Sequence, residues 1–159
     1  MKYHSNVIGI DIGAKGALAH INKTNSIELV KIIPFNLKEY ISYLKSINLN
    51  DIDLFIIEKI HSMRNQGVKS MFSFGTRYGE VLGMLETLDI PNDKILLLEP
   101  RVWQKNLLNE ITKDIDIKYQ VFNKVYELFD NELLLKPRSK KPNTDISDSI
   151  GIALSAFNV

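Results

Sequence analysis

The stretch VIGIDIGAKGALA, Val7 to Ala19, decides how the rest of the chain is read. Val7 to Ile10 has the apolar, β-branched character of a buried strand, and it runs straight into one carboxylate, Asp11. Gly13 and Gly16 supply a turn, and Ala17-Leu18-Ala19 opens a second apolar run. A carboxylate at the end of a core strand loses its water. Burying it unpaired costs several kcal/mol or forces it to take up a proton. A bound cation is the usual compensation, so the reading turns on which other acids come to meet Asp11.

Three short strands, 7–11, 16–22 and 26–33, are separated by tight turns, the second of them Asn22 to Asn25. They predict an antiparallel meander closed by Pro34. Leu37, Tyr40, Ile41, Leu44 and Ile47 then fall at helical spacing. Asp53 to Glu58 repeats the design of the first strand, an apolar run ending in an acid. Strand, helix and strand in that order predict a parallel crossover. Asp11 and Glu58 would then leave the carboxyl ends of neighbouring strands, where α/β sheets place their ligands.

A polar loop at 60–67 leads into a long predicted helix, about 68–88. Gly75, Gly79 and Gly83 recur every four residues in it and share one stripe. A glycine inside a helix costs roughly 1 kcal/mol relative to alanine. Three in line imply that another backbone comes close, either the chain's own sheet or a helix of a second copy. After a turn at 90–93 come a short strand, 94–98, and a helix opened by Pro100. Val102, Trp103, Leu107 and Leu108 form the apolar side of that helix, with Trp103 read as core. A further helix spans about 117–130, and a proline-bounded basic loop, 135–143, precedes a last helix from Asp145 to about Phe157. The predicted architecture is α/β: a five-stranded mixed sheet, three antiparallel strands and then parallel ones, flanked by helices in one domain, 1–159.

The totals exclude more than they assign. Twenty Lys and Arg against 19 Asp and Glu give a net charge of +1, so a nucleic-acid role must rest on local clustering. The chain has no cysteine, which removes disulfides, thiolate metal sites and a cysteine nucleophile. No apolar run is long enough to span a bilayer, and MKYHSNV lacks the apolar segment of a signal peptide. The expectation is a cytoplasmic protein with no membrane partner and no organic cofactor.

The final helix opens Thr144-Asp145-Ile146-Ser147-Asp148. Its two acids are three apart and leave one side of the first turn. Alone they read as helix-terminal acids that favour the free amides. Two buried strands ending in acids, together with this pair, point elsewhere. Carboxylates packed together repel: at ~5 Å and an effective dielectric of ~20 each charged pair costs about 3 kcal/mol. Such a cluster needs divalent cations, and ligands that are all oxygen select Mg²⁺, with Mn²⁺ able to substitute. Two such ions about 4 Å apart cleave phosphodiesters, one activating the attacking water and the other stabilising the leaving oxygen. Lys136, Arg138, Lys140 and Lys141 form the one dense basic cluster, and it directly precedes Asp145. It reads either as a solvated loop or as a grip on the scissile strand, phosphate contacts being the general source of DNA affinity. Lys69, Arg77 and Lys15 are weaker candidates for backbone contacts.

This order of motifs resembles the ribonuclease-H-like superfamily, and within it the RuvC-type Holliday junction resolvases, particularly the shorter phage-type members. The resemblance rests on GIDIGAKGA (9–17), FIIEKIHSMRNQGVKSMFSFG (55–75) and TDISDSIGIAL (144–154). It implies that Asp11 bridges two Mg²⁺ ions, that Glu58 and Asp145 each complete one site, and that Asp148 is the fourth acid. It also implies a homodimer that nicks opposed strands of a four-way DNA junction, leaving 5′-phosphate and 3′-hydroxyl ends. The helix after Glu58 lies at the dimer contact in that family, which favours the second reading of the glycine stripe. Bacterial members carry a base-stacking aromatic three residues after the strand glutamate; His61 stands there, read either as a weaker stacker or as a solvent-facing loop residue, with Met63, Phe72 and Phe74 as alternative stackers, although Phe72 and Phe74 read first as core or interface.

Rival readings are weaker. The DIGxxG turn also opens actin-like sugar kinases, but these need two such domains and a second glycine-rich phosphate turn, which the sequence lacks. A non-catalytic module of the same fold has no use for four acids that repel one another. A related nuclease acting on flaps, other branched DNA or RNA–DNA hybrid is the alternative that the sequence separates least.

Overall fold

The computed structural model describes residues 4–59, 67–129 and 132–157. Five strands form one sheet: β1 (Asn6–Ile10), β2 (Ala17–Asn22), β3 (Glu28–Pro34), β4 (Leu54–Glu58) and β5 (Ile95–Leu98), in the order β3-β2-β1-β4-β5. β1–β2 and β2–β3 are antiparallel, and β1–β4 and β4–β5 are parallel. This is the predicted mixed sheet. The helices are α1 (Leu37–Ser46), α2 (Val68–Thr87), α3 (Pro100–Leu108), α4 (Ile117–Phe129) and α5 (Thr144–Leu154). The last ends three residues short of the expected boundary. Short 3-10 turns at 49–51, 92–94 and 132–134 carry too few residues for a periodic signal.

Strand alternation divides the core into two layers. Ile8 and Ile10 of β1 and Phe55 and Ile57 of β4 pack with Tyr40 and Leu44 of α1 and Val81, Met84 and Leu85 of α2. Val7 of β1 and Ile56 of β4 face the other way, towards α3, α4 and α5. α5 is buried nearly all round, from Ile146 to Leu154, as a helix enclosed between a sheet and two other helices must be. It reaches this depth because Gly9 has no side chain. A Cβ at Gly9 would lie 2.5 Å from both the Ala153 amide nitrogen and the Ser149 carbonyl oxygen. Helix backbone therefore rests directly on strand backbone.

The glycine stripe of α2 faces outward. A Cβ at Gly75, Gly79 or Gly83 would meet nothing within 4 Å among the described residues, so tight packing on the chain's own sheet is not the reason for these residues. The first half of α2 is also uncovered, with Val68 83% and Phe72 77% exposed. Phe72 is thus not core. The basic loop is more ordered than a solvated run. Leu135 and Pro142 form a β-bridge, and the Lys136 amide donates to the Lys141 carbonyl at 2.7 Å. Arg138 and Lys140 take left-handed backbone angles, φ 69° and 53°, to close this tight hairpin.

Gly9→Ala places a methyl against backbone that cannot move aside. We expect a loss of about 3 kcal/mol, at the upper end for overpacked cores, read as a lower urea midpoint. A wild-type midpoint would contradict the contact.

Candidate active site

Parallel pairing of β1 with β4 aligns Ile10 with Ile57, so Asp11 and Glu58 follow at adjacent strand ends. By alternation both continue the face that carries Gly9 and Ile56, the face covered by α5. The turn after Asp11 fixes that acid. Its Oδ1 accepts from the Gly13 amide at 3.1 Å, its own amide donates to the Ala17 carbonyl at 3.0 Å, and Gly16 closes the turn. A Cβ on Gly16 would lie 2.1 Å from the Asp11 carbonyl oxygen, so only glycine fits there. From α5, Asp145 and Asp148 approach the same strand ends, and their charges act on Asp11. The structure thus sets Asp11, Glu58 and Asp145 within electrostatic reach of Asp148.

Their electrostatics is that of a site short of positive charge. Burial pushes the Asp148 carboxyl up to about 7, and the charges of Asp11, Glu58 and Asp145 add to the effect. Burial also raises Asp11, opposed by the Gly13 amide and reinforced by Asp145. Glu58 is raised by burial, against the Trp103 hydrogen bond, with Asp11 reinforcing the rise. One cation, Lys118 in the first turn of α4, opposes all three shifts. Helix capping does not account for the α5 acids. Asn143 is the N-cap and makes no side-chain capping bond, and neither Asp145 nor Asp148 holds a helix amide among the described residues. Among the described residues the buried Tyr40 hydroxyl has no hydrogen-bond partner, and its pKa is raised first by burial and then by the charge of Asp11.

The donor set fits a hard divalent cation: carboxylate oxygens alone, half-buried and with too few donors of their own. Among the described residues no three acids or histidines are drawn close enough to hold an ion as they stand. Uncompensated carboxylates repel, so binding would require side-chain rotation to bring the oxygens together.

Two residues that act on the acids escape a reading of the sequence. Lys118 follows Ile117 on a helix whose pattern marks it only as solvent-facing. Trp103 is core, as predicted, but its Nε1 also donates to Glu58 Oε1 at 3.0 Å. Of the expected DNA contacts, Lys69 is exposed in the first turn of α2, and Arg138, Lys140 and Lys141 are exposed on the hairpin. The charge of Lys118 acts on Asp11, Glu58 and Asp148. His61 and Met63 lie outside the described residues. No helix among the described residues is long and apolar enough to cross a membrane.

No protein-family model and no curated protein matches the sequence. Solved structures do. Thermus thermophilus RuvC in complex with a Holliday junction substrate superposes with a TM-score of 0.65 at 15% identity, covering 96% of this chain and 92% of that one. The yeast mitochondrial Holliday junction resolvase Ydc2 gives 0.59 at 15% identity, covering 98% and 78%. The fowlpox virus resolvase, complexed with Holliday junction DNA, gives 0.51 at 23% identity, covering 94% and 95%. The chain therefore has the ribonuclease-H-like fold of the RuvC-type resolvases along nearly its whole length.

A carboxyl raised from 3.8 to about 7 destabilises the metal-free protein in a defined window. Between about pH 4 and 7 the folded state keeps a proton on Asp148 that the unfolded chain has released, so stability falls as pH rises. At about 1.4 kcal/mol per unit, the loss is on the order of 4 kcal/mol at most. In chelator, Asp148→Asn should therefore unfold at higher urea than wild type at pH 8, and the two midpoints should meet near pH 4. A lower midpoint for the variant at pH 8 would show that the charge is not under strain.

Proposed function

We propose that this chain is a Mg²⁺-dependent, homodimeric endonuclease that resolves four-way DNA junctions by hydrolysing phosphodiester bonds, leaving 5′-phosphate and 3′-hydroxyl ends. One observation carries the reading: acids from β1, β4 and α5 meet over a sheet whose fold is shared with junction resolvases. Asp11, whose charge acts on Glu58 and Asp148 and which itself feels Asp145, would be the acid shared by the ions. Glu58, Asp145 and Asp148 would complete their coordination. When bound, the ions would supply a hydroxide-like attacking water and stabilise the leaving oxygen.

The chain's own groups do the rest. Lys118 is the cation nearest in effect to the acids, so it would meet the scissile phosphate and balance its charge. Lys69, Arg138, Lys140 and Lys141 would hold the flanking strands through phosphates, and His61 would stack at the junction centre. The left-handed hairpin favours this role, because a fixed loop loses less freedom on binding. The outward glycines of α2, flanked by exposed Val68 and Phe72, give a second copy a surface where helix backbones can approach closely.

The reading is tested with labelled four-way junction, flap, duplex and RNA–DNA hybrid, each with Mg²⁺ or EDTA. Paired nicks in the junction alone, dependent on Mg²⁺, are expected. Asp11→Asn or Asp145→Asn should abolish cleavage and retain junction binding. Nicking by either variant would reject the assignment of the acids, and preferred cutting of flap or hybrid would reject the substrate. For the dimer, Gly79→Leu should sediment as a monomer where wild type sediments as a dimer. An unaltered dimer would remove the stripe from the interface.

A further inference from the structure

A tryptophan buried for its bulk alone brings a problem with it. Its N–H must find an acceptor, or the core carries an unsatisfied donor. Trp103 is 1% exposed, the one tryptophan of the chain, and it sits among Leu107, Val121 and Ile150 in the layer under α5. Gly151 of α5 is what admits it. A Cβ there would lie 3.2 Å from Trp103 Cζ3, 3.1 Å from Val121 Cγ1 and 3.0 Å from Leu107 Cδ2. The ring is thus held against the helix that carries Asp145 and Asp148. Its Nε1 reaches across to β4 and donates to Glu58 Oε1 at 3.0 Å. Phenylalanine would fill most of this space with no donor to satisfy, so the indole N–H is the part of the residue that packing does not explain.

We propose that Trp103 is a positioning residue for Glu58: its indole N–H engages Oε1, fixes the carboxylate against the α3–α5 layer, and leaves Oε2 as the oxygen presented to a divalent cation. This rests on the reading of Glu58 as a metal ligand and adds the group that orients it. Partners that orient a ligand in this way are worth about 10- to 100-fold in metal affinity. Because the ring lies against α5 at Gly151, the indole also ties the position of Glu58 to that of the helical acids. An ion that joins strand and helix would then find one ligand already aimed.

The test is Mn²⁺ binding by calorimetry to wild type, Trp103→Phe and Glu58→Gln, with urea midpoints of all three in chelator. Trp103→Phe should bind Mn²⁺ at least about tenfold more weakly than wild type, a loss separable from any change in midpoint. A variant of lower midpoint but wild-type Mn²⁺ affinity would reduce Trp103 to core and overturn the proposal. Wild type that binds no Mn²⁺ would overturn the underlying metal reading, and this proposal with it. Should Trp103→Phe fail to fold, the intrinsic emission of wild type decides. Mg²⁺ should shift the fluorescence of this lone tryptophan, and the shift should vanish in Glu58→Gln. Unshifted emission in wild-type protein that calorimetry shows to be loaded would overturn it.

Discussion

One contact governs this structure: the backbone of α5 lies on the backbone of β1 at Gly9, with Ser149 and Ala153 closer than any side chain would allow. The consequences are geometric. Ser149 is one residue from Asp148 and one helical turn from Asp145, so seating Ser149 on β1 seats both acids near the strand's end. Gly9 is two residues from Asp11, so alternation turns Asp11 to the same face. Parallel register with β4 brings Glu58 alongside. A buried helix, a short strand and one glycine thus account for the meeting of residues separated by more than a hundred positions.

That meeting is unfavourable in itself. Burial raises Asp11, Glu58 and Asp148, and mutual repulsion adds to it, while among the described residues Lys118 is the one cation that opposes all three. The stabilising contacts nearby are few: an amide from Gly13, an indole N–H from Trp103. A scaffold with no ligand to bind would be more stable with asparagine or an apolar residue at these positions. Charge concentrated where it weakens the fold is common at working sites, and a divalent cation removes the strain directly.

Much of this was legible in the sequence because it follows from short-range periodicity. The strands showed as apolar runs ending at Asp11 and Glu58, and the helices showed in spacings such as Leu37-Tyr40-Ile41-Leu44. Parallel pairing followed from strand-helix-strand order. What stayed hidden depends on tertiary contact. Gly9 read as one more strand residue, since nothing local announces that a helix backbone will cross it. The direction of the α2 stripe needed the packing of Val81, Met84 and Leu85 to be known first. Lys118 looked like any solvent-facing lysine, and Trp103 like core, because a hydrogen bond to a residue 45 positions away leaves no mark on the sequence around it. The basic run gave its charge but not its shape, since left-handed angles at Arg138 and Lys140 go against residue preference.

Whether the converging carboxylates form a metal centre is decided most directly by crystals grown with Mn²⁺ and measured at its absorption edge. Two anomalous peaks are expected, both bounded by Asp11, Glu58, Asp145 and Asp148, with Asp11 touching each. Ordered protein with all four side chains clearly placed and no anomalous density between them, at Mn²⁺ concentrations that saturate known two-metal nucleases, would contradict it.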